Sequence, residues 1–66
     1  MEFTFVFNGI TLKSPDRYVV DQYGNRYMIF SDRNGNRYKI SRDALEINME
    51  TGVCVQRNKE INVIKL

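Results

Sequence analysis

The chain has 66 residues, with ten basic and eight acidic side chains and a net charge of +2. That length makes one domain, spanning 1–66, which hides only about 60% of the surface its unfolded form exposes. So small an excess of positive charge does not demand a polyanionic partner. With no His and a single Cys there is no internal disulfide, no imidazole for acid–base work and no ligand set for a metal.

The charge is unevenly spread. Arg17, Arg26, Arg33, Arg37, Lys39 and Arg42 face only Asp21 and Asp32 across positions 17–42, and Asp43, Glu46 and Glu50 follow with no base among them. The N-terminus begins with an acid and lacks a cleavage site, so it does not read as a signal peptide. No apolar run approaches the ~18 residues of a membrane span. The expectation is a soluble, cytoplasmic protein with no membrane association and with Cys54 as a small buried hydrophobe.

In chain order, Phe3, Phe5 and Phe7 alternate with Glu2, Thr4, Val6 and Asn8, the period of a half-buried strand. Asn8-Gly9 follows, a pair suited to a type I′ turn because both central residues need positive φ. It predicts a hairpin in which Phe7 faces Ile10 and Phe5 faces Leu12. Ser14-Pro15-Asp16 then breaks the run.

Next comes an internal echo: Asp21-Gln-Tyr-Gly-Asn-Arg-Tyr-Met-Ile29 recurs as Asp32-Arg-Asn-Gly-Asn-Arg-Tyr-Lys-Ile40. Two-residue loops at Tyr23-Gly24 and Asn34-Gly35 would place Val20 opposite Tyr27, Val19 opposite Met28, Ile29 opposite Ile40 and Arg26 opposite Asp43. Each turn would be bracketed by an Asp–Arg pair, Asp21–Arg26 and Asp32–Arg37. Tyr23 is the awkward residue, because a bulky side chain fits positive φ poorly.

Leu45, Ile47 and Met49 suggest another strand, preceded by a single helical turn at 42–45. A short helix capped by Ser41 competes for 42–49. Glu50-Thr51-Gly52 suits a three-residue loop, Val53–Val55 starts the next strand, and Ile61–Leu66 is the last. The fold class is all-β: one antiparallel meander of six or seven short strands, curled into an SH3-like barrel or roll. Phe3–Phe7 and Ile61–Leu66, if left as open edges, would invite pairing with other chains.

That register sorts the central strands into a core face of Tyr18, Val20, Tyr27, Ile29, Tyr38 and Ile40, and an outer face. On the outer face Val19, Met28 and Phe30 form an apolar cluster bordered by Arg17, Arg26, Arg37 and Lys39. Either the C-terminal half covers this cluster, or it is a binding surface; a slip of one residue in the register would mix the faces.

No catalytic set emerges. Asp32-x-Asn34-Gly35-Asn36 resembles the start of a calcium loop, but Arg37 stands where the turn needs Gly. No Gly-rich phosphate loop is present, and Cys54 and the serines lack a base. The expectation is a non-enzymatic protein-binding module, an inhibitor or adaptor without a cofactor, whose candidate residues are Arg17, Val19, Arg26, Met28, Phe30, Arg37 and Lys39. Its partner would be a protein with an acidic or apolar surface. Two alternatives stand beside it: a single-stranded nucleic-acid-binding barrel using aromatic stacking, and a structural subunit or homodimer pairing through edge strands. In composition rather than motif, the chain looks like small accessory proteins of phages and mobile elements, which implies a binder of host factors.

Overall fold

The computed structural model covers all 66 residues and is all-β. Eight strands follow in order: β1 (Phe3–Phe7), β2 (Ile10–Ser14), β3 (Val19–Val20), β4 (Arg26–Ser31), β5 (Arg37–Ser41), β6 (Leu45–Ile47), β7 (Val53–Gln56) and β8 (Val63–Lys65). A single 3₁₀ turn, Arg42–Ala44, separates β5 from β6, so both a helical turn and a strand occupy this stretch. All the strands join one sheet in the order β6-β7-β1-β2-β4-β5-β8, and β3 pairs with β4. The sheet curls into a small half-barrel or roll. The order is not that of a simple meander: β7 runs parallel to β1, with Thr4 opposite Val53 and Phe5 opposite Cys54, and β8 pairs with β5 rather than with β7. β1 is therefore paired on both sides and is no edge.

The first hairpin forms as the alternation predicts. Asn8 and Gly9 both have positive φ, 50° and 76°, and Phe7 faces Ile10 while Phe5 faces Leu12. The two echo hairpins form too, but each loop holds three residues instead of two. Asp21 N–H donates to the Asn25 carbonyl at 3.0 Å and Gly24 N–H to the Asp21 carbonyl at 3.1 Å. Asp32, Asn36 and Gly35 repeat that arrangement at 3.0 and 3.1 Å. This is the three-residue hairpin in which a type I turn ends on a left-handed glycine, here Gly24 and Gly35. Tyr23 is thereby spared positive φ, the conformation that a two-residue loop would have imposed.

The extra residue shifts both registers by one. Val19 now faces Tyr27, Tyr27 faces Ser41, Met28 faces Ile40, Ile29 faces Lys39 and Phe30 faces Tyr38. Because successive side chains alternate, a slip of one turns the whole of β4 over. Met28 and Phe30 thus enter the core, both at 0% exposure, beside Phe3, Phe5, Leu12, Ile40, Leu45 and Cys54. Tyr27 and Ile29, expected in the core, turn outward. Tyr18 and Val20 also lie exposed outside the core, whereas Tyr38 packs against it.

The bracketing Asp–Arg pairs do not form. Asp21 and Asp32 instead accept from the Asn that ends each loop, and Arg26 reaches Asp43 in the 3₁₀ turn at 2.9 Å. The loop between β6 and β7 runs one residue longer than its Gly position suggested: Asn48 N–H donates to the Val53 carbonyl at 2.9 Å, which leaves 49–52 as the loop. Gly52 there has φ 79° and lies against β1, where a Cβ would come within 2.5 Å of the Glu2 carbonyl oxygen.

Candidate functional site

The slip of register acts on both sides of β4, so its effects cancel between β3 and β5. These two strands keep the common outer face expected of them, and only β4 exchanges its side chains. Along one row Val19, Tyr27 and Ser41 are neighbours; along the next, Ile29, Lys39 and Ile64; along a third, Lys13, Ser31 and Arg37. Leu66 continues the third row, its N–H donating to the Arg37 carbonyl at 2.9 Å.

The apolar members of this face are partly open. Val19, Tyr27 and Ile29 are half-buried, and Ile64 is exposed at 46%. Lys39 holds its ammonium 4.5 Å from the centre of the Tyr27 ring, a cation–π contact worth about 0.5–1 kcal/mol at an exposed site. Lys13, Lys39 and Arg37 supply three cations, and no carboxylate occupies any of these row positions. Acids stand at both ends: Glu2 reaches Lys13 at 3.8 Å, and Asp21 and Asp43 border, with Arg26, a polar depression that Tyr27 and Lys39 also line.

The sequence-predicted site residues therefore part company. Val19, Arg37 and Lys39 lie on the outer face. Arg17 is exposed in the bend before β3. Arg26 stands at the end of this face, over the Tyr18 ring at 5.5 Å, and pairs with Asp43. Met28 and Phe30 are not surface residues at all; they are the centre of the core. In their place the face carries Tyr27, Ile29 and Ile64. A signal for this exists in the sequence: Asp three residues before Gly, with Asn directly after it, is the chemistry of a type I turn closed by a glycine bulge.

The two echo loops are held by their own acids. Asp21 accepts from Tyr23 N–H at 2.8 Å and Asn25 N–H at 2.9 Å, and Asp32 accepts from Asn34 N–H and Asn36 N–H, both at 2.9 Å. The Asn25 backbone bond leads in holding the Asp21 carboxyl below its ordinary value, and the nearby Lys39 charge adds to it. For Asp32, desolvation opposes ionisation. Bonds from the Asn36 side chain and backbone, the Tyr38 hydroxyl and the Asn34 backbone outweigh it, so this carboxyl is lowered as well. Tyr38 is correspondingly raised, by desolvation first and by its bond to Asp32 second.

Cys54 is buried on β7 beside β1, and desolvation pushes its thiol up. No cluster of three or more Cys, Asp or Glu side chains is placed to hold a metal ion, and no helix is long and apolar enough to cross a membrane. Comparison with protein-family models, with curated proteins and with solved structures finds no match.

Proposed function

We propose that the chain is a non-enzymatic protein-binding module whose outer face on β3, β4, β5 and β8 is the contact surface. One observation carries the reading: half-buried Tyr27 and Ile29 and exposed Ile64 lie beside Arg37 and Lys39, with no acid in the same rows. Apolar area supplies affinity, and the bordering cations select a partner with acidic groups around an apolar centre. A single-stranded nucleic acid would need a free stacking platform. The Tyr27 ring already carries the Lys39 ammonium on its face, and the freely exposed ring, Tyr23, stands in the β3–β4 loop off these rows, which weighs for a protein partner.

The test is affinity capture from cells that encode the protein, comparing wild type with Lys39→Glu and with Ile64→Asp. Both positions are on the surface side of the sheet, so the melting temperature should stay near that of wild type. A specific partner should be retained by wild type and lost by both variants. A partner that survives both changes does not use this face.

A further inference from the structure

The two ends of the sheet are treated differently. At the β6 end the chain covers part of its own edge, the Leu45 carbonyl, though not the outward groups of Ile47, which no side chain bonds. The Ala44 carbonyl accepts from Arg57 N–H in the direction of β7, so by alternation the Leu45 carbonyl points outward. It is covered there by Arg42 Nη1 at 2.9 Å and Arg57 Nη2 at 3.3 Å, and the Leu45 N–H bonds the Arg42 carbonyl. Bulky, charged side chains over an edge are a usual way to prevent strand addition.

The β8 end has no such cover. Leu66 N–H points toward β5, so by the same alternation Ile64 bonds β5, while the N–H and C=O of Val63 and Lys65 point away from the sheet. β8 has no other strand neighbour, and no side chain of this protein bonds those groups. Inward of this edge lies an apolar groove of about 370 Å³ between β8 and the first hairpin, lined by Phe7, Ile10, Tyr38, Ile61 and Val63, with Lys65 at its rim. Ile10 is 51% exposed there. The half-barrel thus stops one strand short, with unpaired backbone groups along the gap and an apolar hollow beneath it.

Resting on the reading of the outer face given above, we propose that the partner binds as an extended strand added to the free edge of β8. A strand in that position sends alternate side chains into the groove beside Val63 and onto the outer face beside Ile64. The segment that fits is apolar opposite Val63 and Ile64 and acidic opposite Lys65, while Arg37 and Lys39 favour negative charge on the outer face. Charge decides between this occupant and a second copy. Two β8 edges paired with each other would bring two Lys65 side chains and two chains of net charge +2 together, and β8 itself carries no acid.

The probe is a short capped peptide repeating Val-Val-Glu, titrated into the whole protein. Controls are a Val-Val-Lys repeat and a Val-Val-Glu repeat N-methylated at alternate amides. Binding should slow amide exchange at Val63 and Lys65 by about tenfold or more at saturation, and both controls should bind about tenfold more weakly or not at all. Lys65→Pro removes an outward N–H while leaving the β5 ladder intact, and it should weaken binding by a similar factor. Three results overturn the proposal: no binding of the Val-Val-Glu peptide, binding without protection at Val63 and Lys65, or self-association of the protein through β8 in its place. The two readings fail separately. A peptide that shifts Tyr27 and Ile29 resonances without protecting β8 leaves the face and removes the edge. Protection of β8 that is indifferent to Lys39→Glu leaves the edge and removes the face.

Discussion

Asp32 does more for its loop than Asp21 does. Both carboxylates tie two backbone amides and an Asn side chain, but Asp32 also accepts from the Tyr38 hydroxyl at 3.1 Å, and Tyr38 packs against the core. Asp32→Ala is therefore expected to destabilise the protein more than Asp21→Ala, read as the midpoint of urea unfolding. Both folded-state carboxyls lie below the ordinary value of 3.8. Their contribution is thus fully present above about that pH and lost as the pH falls through the lowered folded values. The double variant Asp21→Asn with Asp32→Asn should flatten the acid limb of a stability–pH curve, and an unchanged limb would place the acid sensitivity elsewhere. Gly52 offers a second contrast. Gly35→Ala meets open space and bears only the left-handed backbone cost of about 1–2 kcal/mol. Gly52→Ala bears that cost and also drives a methyl into the Glu2 carbonyl just before β1. It should lower the urea midpoint clearly further than Gly35→Ala; equal losses would mean that β1 yields without strain.

At the scale of the elements, β4 decides what is core and what is surface. Phe30→Ala and Met28→Ala each remove a fully buried side chain and are expected to cost about 3–5 and 2–5 kcal/mol respectively. In a domain whose total stability is on the order of 5 kcal/mol, either leaves a largely unfolded chain by circular dichroism. A folded Phe30→Ala protein with near-native stability would contradict the register. The first hairpin was fully legible in the sequence, because Asn8-Gly9 and the Phe alternation specify the same pairing independently. The echo hairpins were legible as hairpins but not in register. Gly24 and Gly35 mark a left-handed position equally well in loops of two or three residues, and the choice rests on Asp side chains bonding amides two and four residues on. Period-2 alternation cannot arbitrate where both faces of a strand are apolar, as they are in Tyr27-Met28-Ile29-Phe30. The face of Val19, Arg37 and Lys39 was readable all the same, since those residues sit on strands that the two slips leave in step. Ile64 was out of reach, because nothing in the last strand fixes its register until it is paired with β5.

For the whole molecule, the curl follows from where the sheet is weakly joined. β2 and β4 share a single pair, Lys13 with Ser31, and beyond it the first hairpin leaves the sheet to lean over Tyr38 and Val63, opening the groove beside β8. The apolar strands at Phe3–Phe7 and Ile61–Leu66, which a flat sheet would leave as open edges, pointed to a curled sheet, but the placement of β7 was beyond local patterning. Its partner is chosen by Cys54 and Phe5 sharing a core 49 positions apart (54 minus 5), a contact that no turn signal announces. That parallel pairing orders events in time. A contact so distant in sequence closes late, because its loop entropy must be met before it is rewarded. As the chain emerges during synthesis, the Phe-rich first hairpin forms while the strand that will shield its flank does not yet exist. Until Val53–Gln56 arrives, that flank is an open edge, so the aggregation hazard that β1 no longer presents in the finished fold belongs to its nascent state.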